Sequence, residues 1–345
     1  MNAPAHVPAH DTLMFQEAAS AGAVIAAQFK RNRDAIAALA DDLRQHPPPF
    51  AVTCARGSSD HAAVYAKALF ETQLGIVTAS LPPSVSSIYN APQKLKDTLY
   101  LSISQSGQSP DLLRATEAAK AAGARVVALV NVEDSPLAQL ADVVIPLGTG
   151  PERSVAATKS YLASLSAIVQ LTASWSHDPR LLAALDALPQ ALQCAWECDW
   201  HELVDGLENA HNLFVLGRGP GLAAAREAAL KFKETCGLHA ESYSVAEVKH
   251  GPMALVGRDF PVLTLTQPDA TAAGSRAVCE EFTARGARVW QAGEGGNLPT
   301  ATPPHPVCAP LLLVQSFYRA VNALALRRGH NPDVPAHLQK VTQTV

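Results

Sequence analysis

The sequence predicts an α/β chain of two tandem, doubly wound lobes, each a parallel sheet between two helical layers (three-layer αβα). An N-terminal helix and an irregular C-terminal tail complete it. Three observations lead there. Short apolar runs alternate with Ala- and Leu-rich stretches of helical period, the pattern of a parallel sheet covered on both faces. The alternation then starts again: laid over the second copy, Cys54–Glu71 pairs Arg56 with Arg218, Gly57 with Gly219, Ala62 with Ala224 and Phe70 with Phe232. Solenoid units recur every 20 to 50 residues or so, and these copies lie much farther apart, so they are duplicated domains. Finally, the Gly- and Ser-rich turns follow strands, on the edge where open α/β sheets bind ligands.

In chain order, residues 1–12 read as a proline-containing arm without periodicity, and Met14–Leu43 as a helix stopped by the prolines of His46–Pro49. Phe50–Gly75 is a short buried strand, a Gly/Ser turn and an amphipathic helix. Leu99–Ser104 is a strand, Pro110–Ala122 a helix, and Ala124–Asn131 and Asp142–Leu147 two further strands. A helix over Thr158–Ser174 closes the first copy, and the boundary falls near Ser176–Gln190. In the second copy Asn212–Glu234 repeats strand, Gly-rich turn and helix, and Phe260–Pro268 and Arg285–Gly293 supply later strands. The expected division is an arm and helix at 1–49, lobes at 50–175 and 191–328, and a tail at 329–345.

A length of 345 residues suits two ordinary domains. Hydrophobic content of 48% with 17% charged residues describes a well-buried globular chain. A net charge of −4 without any Lys/Arg-rich run argues against a nucleic-acid surface. The six cysteines form no CxxC pair, and Cys194 and Cys198, one helical turn apart, suit a packed face better than a zinc site. Reduced thiols point to the cytoplasm. The N-terminus has no signal-peptide pattern, and no apolar run reaches the roughly 18–20 residues of a membrane span.

Ser104, Gln105, Ser106, Gly107 and Ser109 crowd the start of a helix, where backbone N–H groups lack intrahelical partners. That is the chemistry of an anion cradle, with phosphate the expected anion. The same residues also suit an ordinary capped turn. GxxxxGK[ST] is absent and neither Gly-rich turn completes GxGxxG, which disfavours nucleotide triphosphates and dinucleotides. Lys231 and Glu234 share a helix face, the spacing of a surface ion pair. His239, Glu241, Glu247, Lys249 and His250 follow in a block closed by a Gly-Pro turn; by itself such a block reads as a solvated loop. HExxH is absent and the two histidines are too far apart for a helical pair, so no metal is expected. The tail, with its prolines and late Lys340, reads either as a frayed end or as a segment carrying a lysine to a carbonyl.

Jointly these motifs resemble the sugar isomerase (SIS) domain family, most closely the isomerase half of glucosamine-6-phosphate synthase. The carriers are "RGSSDHA", "SISQSGQSPD", "SVAATKSY", "LGRGPG…EAALKFKE", "HAESYSVAEVKHGPMALV" and "DVPAHLQKVT". The resemblance implies that Ser104, Gln105, Ser106 and Ser109 hold the sugar phosphate, and that Ser59, Val155 and Gln339 line the open-chain sugar. It makes Glu234, with Lys231 beside it, the carboxylate that moves a proton between C1 and C2. His250 matches the ring-opening histidine contributed by the neighbouring subunit, hence a homodimer with a composite active site. Lys340 matches the lysine that forms a Schiff base with the ketose. Ala157 stands where the synthase usually has a serine, and Ala246 where it usually has a glycine.

Met1–Pro49 is too short for the synthase's glutaminase domain. The expectation is therefore a stand-alone deaminase: glucosamine 6-phosphate and water give fructose 6-phosphate and ammonia, with a sugar phosphate as the only small-molecule partner and no cofactor, nucleic acid or membrane. The alternatives are another SIS sugar-phosphate isomerase or deglycase, or a non-catalytic sugar-phosphate sensor.

Overall fold

The computed structural model describes residues 8–340, so the first residues of the arm and the last five of the tail lie outside the described residues. In the first half run α1 (Leu13–Ala19), α2 (Ala21–Gln45), β1 (Ala51–Cys54), α3 (Gly57–Leu69), β2 (Thr78–Ser80), α4 (Ser84–Ser87) and β3 (Leu99–Ser104). They are followed by α5 (Pro110–Ala121), β4 (Arg125–Val130), α6 (Pro136–Leu140), β5 (Val143–Pro146), α7 (Lys159–Ser176) and α8 (Pro179–Trp196). The second half contains α9 (His201–Leu207), β6 (Asn212–Gly217), α10 (Gly221–Cys236), β7 (His239–Ser244) and β8 (Pro261–Thr266). It ends with α11 (Ala272–Ala284), β9 (Arg288–Gly293) and α12 (Ala309–Arg327).

The strands form two sheets, β2-β1-β3-β4-β5 and β7-β6-β8-β9, and every pairing is parallel. The order β7-β6-β8-β9 repeats β2-β1-β3-β4, which is the duplication seen in the sequence. β1 and β3 are buried at every position, as strands covered on both faces must be. Val52, Tyr100, Leu112, Val126, Ala128 and Leu137 fill the core of the first sheet; Phe214, Leu216, Val262, Val278 and Phe282 fill that of the second.

The chain divides into two compact units. One contains the first sheet with residues 23–152 and 159–186; the other contains the second sheet with residues 8–22, 153–158 and 187–340.

Three local expectations change. The first helix is broken at Ser20, whose hydroxyl donates to the Glu17 carbonyl at 2.7 Å, and α2 starts at Ala21. The block at 239–250 is not all loop: His239–Ser244 is the edge strand β7, paired to β6 with Glu241 opposite Phe214. Its polar residues mislead a periodicity reading, yet an exposed edge strand favours charged side chains. Lastly, Pro306–Arg327 is long and apolar enough to cross a membrane, but 89% of its most apolar window is buried inside the protein.

Candidate active site

β3 carries Ser104 to the carboxyl edge of the first sheet, and the chain turns there into α5. Gly107 makes the turn possible: its φ is +64°, and an added Cβ would lie 2.2 Å from the Ser135 hydroxyl oxygen. The Ser104 hydroxyl accepts the Gly107 N–H at 3.0 Å, and the Ser106 hydroxyl accepts the Gln108 N–H at 3.4 Å. Each serine therefore keeps its own proton to donate. Ser109 sits at the N-cap of α5 but makes no side-chain cap bond, unlike the cap of an ordinary turn. Gln105 is half-buried in the same turn, and Ser59 is half-buried in the first turn of α3.

Beside the cradle, Asp111 is fully buried. Its Oδ2 accepts from Arg56 Nε at 2.9 Å and Nη2 at 2.7 Å, while Oδ1 accepts the Leu112 N–H at 2.8 Å. A buried carboxylate at a helix start would repel an anion bound there, and the Arg56 guanidinium offsets that charge. The sequence presents Arg56 only as a marker of the repeat.

The second-sheet unit gathers a different set. On α10, Glu227, Lys231 and Glu234 fall at i, i+4 and i+7 and so share one face. Lys231 Nζ lies 3.1 Å from Glu227 Oε1 and 2.8 Å from Glu234 Oε2; the first two side chains are 0% exposed and Glu234 is 21% exposed. Tyr318, on α12, donates its hydroxyl to Glu227 Oε1 at 3.0 Å. This is not the surface ion pair that the spacing suggests, because the face packs inward against α12. Burial alone pulls the Lys231 pKa down. The charges of Glu227 and Glu234 and their hydrogen bonds outweigh it and hold the ammonium above the usual lysine value. Glu227 is missed by the sequence reading, although its i−4 spacing from Lys231 is the signal that finds it.

Val155 and Lys340 are also brought together. Lys340 Nζ donates to the Ser154 carbonyl at 2.7 Å, and the Val155 N–H donates to the Asp333 carbonyl at 3.1 Å. Over its described residues the tail is therefore held at Asp333 and Lys340. Gln339 is exposed. His250 is exposed as well, on the turn after Glu247–Lys249, and its ring has no hydrogen-bond or ionic partner among the described residues. The neighbouring Lys249 pairs with Glu281 at 2.7 Å. Among the described residues no three His, Cys, Asp or Glu side chains converge as a metal site would require.

The model of the SIS domain matches residues 51–174 and 206–290, more than half of the chain. The chain belongs to the SIS-domain family. This SIS protein is 34% identical over 296 residues to the glutamine–fructose-6-phosphate aminotransferase (isomerizing) of Methanothermobacter thermautotrophicus, covering 82% of the chain and 50% of that relative. It thus spans about half the length of the curated relatives it matches, over their isomerase part. A solved candidate phosphosugar isomerase from Silicibacter pomeroyi superposes with a TM-score of 0.90 at 42% identity, covering 93% of this chain and all of that one. The glucosamine-6-phosphate deaminase of Thermotoga maritima shares the fold, with a TM-score of 0.79 at 22% identity over 96% of this chain and 100% of that one.

Proposed function

We propose that this SIS protein converts an amino-sugar phosphate, glucosamine 6-phosphate, into the ketose phosphate and ammonia with water as co-substrate. The observation that carries the reading is the half-buried Glu234 carboxylate, held 2.8 Å from a fully buried ammonium that Glu227 anchors from behind. A carboxylate so fixed, with part of its surface open, suits a group that takes a proton and returns it.

The Ser104–Ser109 cradle binds the phosphate. His250 opens the pyranose ring. Glu234 then takes the C2 proton, giving an enolamine, and delivers a proton to C1, leaving an imine at C2. Water adds to that imine and expels ammonia, leaving fructose 6-phosphate; alternatively the Lys340 amine displaces ammonia first and its imine is hydrolysed afterwards. Ser59, Val155 and Gln339 line the open-chain sugar. Each chain's His250 serves the site of the other copy in a homodimer, a role suited to an imidazole that is exposed and has no side-chain partner among the described residues of its own chain. Six free cysteines support a reducing cytoplasmic setting.

A plain aldose–ketose isomerase is the second reading, favoured by the 42% identity to the Silicibacter chain over its whole length. One assay separates them. Ammonia release from glucosamine 6-phosphate, coupled to formation of ketose phosphate, supports the first. Interconversion of phosphorylated aldoses and ketoses without ammonia release supports the second, and binding without turnover of either would sink both.

A further inference from the structure

The loop before α7 and the C-terminal tail carry Val155 and Lys340, and neither belongs to a regular element. What fixes them is a set of contacts from α1. The Glu17 carboxylate, 8% exposed, accepts the Arg153 N–H at 2.6 Å through Oε1 and the Ser154 N–H at 3.3 Å through Oε2. From the tail, the Asp333 carboxylate accepts the Leu13 N–H at 2.8 Å and the Met14 N–H at 2.7 Å, two orphan donors at the start of α1. The Asp333 carbonyl takes the Val155 N–H, and the Ser154 carbonyl takes the Lys340 ammonium. The polar backbone of 153–155 is thus held from both ends of the chain.

α1 is itself fixed. The Thr12 hydroxyl donates to Asn322 Oδ1 at 2.7 Å, and Gln315 Nε2 donates to the Ala18 carbonyl at 3.0 Å. Asn322 and Gln315 are buried on α12, the long core helix of this unit. A path of hydrogen bonds therefore runs from α12 through α1 to Lys340.

We infer that Glu17 and Asp333 are positioning residues for Lys340: they set the loop carbonyl on which the lysine rests and the path of the tail that delivers it. The inference rests on the reading of Lys340 as the lysine that forms an imine with the ketose. Carboxylates are used because each must accept two backbone N–H bonds, and a charged acceptor does so more strongly than an amide. Neither residue touches the sugar in this assignment. Their effect is on the lysine's placement, where a displacement of about 1 Å costs roughly a hundredfold in rate.

The test is reductive trapping. Full-length wild type, Glu17→Gln and Asp333→Asn are treated with borohydride and fructose 6-phosphate, and the adduct on Lys340 is quantified by peptide mass spectrometry. The expected result is that both variants trap about tenfold more slowly or worse, while affinity for inorganic phosphate stays near wild type and Tm falls by only about 5 °C, the loss of one acceptor. Trapping at the wild-type rate would overturn the inference. So would a parallel loss of Tm and phosphate affinity, which would make the two carboxylates general structural supports. Absence of any adduct on Lys340 in wild type would instead overturn the imine role and, with it, the premise of positioning.

Discussion

Replacing Glu234 and Glu227 one at a time by glutamine separates chemistry from architecture, because both flank one ammonium but only one is open. At 2.8 and 3.1 Å, each contact with Lys231 is worth about 5–6 kcal/mol at an effective dielectric of about 20, before desolvation is subtracted. Glu234→Gln removes one of these but leaves Lys231 neutralised by the buried Glu227. The stability cost should then be about 1 kcal/mol, close to that of an accessible pair, and a Tm shift of about 3 °C. The same change removes the proposed base, so kcat should fall about 10²–10⁴-fold and exchange of the C2 proton with solvent should stop. Glu227→Gln breaks a contact between two groups that are 0% exposed. It should cost about 3 kcal/mol, the low end for a broken buried pair, since Glu234 still neutralises Lys231. Thermal unfolding, ammonia release and solvent-deuterium incorporation measure the three quantities. Wild-type kcat in Glu234→Gln, together with a stability cost equal to that of Glu227→Gln, would refute the division of labour.

Three further outcomes follow from the proposed function and the structure together. Replacing Ser104 and Ser106 together by alanine should raise KM for the phosphorylated sugar about tenfold or more for each hydroxyl lost, with unphosphorylated glucosamine little affected; equal weakening of both sugars would remove the phosphate from the cradle. Mixing inactive Glu234→Gln and His250→Ala chains should restore part of the activity after subunit exchange, because one hybrid site would be whole, and no rescue would mean that each chain builds its own site. Burial raises the thiols of Cys54 to about 11 and of Cys236 and Cys308 to about 12, from an ordinary 9.0. A raised thiol pKa keeps the proton on the native state, so its stabilisation is present below pH 9 and is lost between 9 and about 11–12, at up to roughly 4 kcal/mol per pH unit for three thiols. The raised Lys231 adds loss in the same direction at still higher pH, so Tm should be flat up to pH 9 and fall above it; a flat Tm to pH 11 would contradict this.

Local pattern determined much of this protein. The strands β1, β3, β4, β6 and β8 are short, mostly apolar runs whose few interior polar residues are Ser or Thr, and such runs have few alternatives once helices cover both faces. The duplication, the Ser-rich turn after β3 and the helix carrying Lys231 and Glu234 were legible for the same reason: each lies within one element or at its end. Tertiary structure decided what depends on partners distant in sequence. β7 is a strand because β6 offers it a free edge, whatever its own polar composition. Lys231 is a buried cation because Tyr318 and α12 close over the helix face that also carries Glu227, and i, i+3 spacing cannot say whether a face looks at water or at a core. The path of the tail could not be read at all, since Asp333 finds its partners at Leu13 and Met14, at the other end of the chain. Periodicity reports which face of an element is apolar; only the packed chain reports which polar groups are left to satisfy one another there.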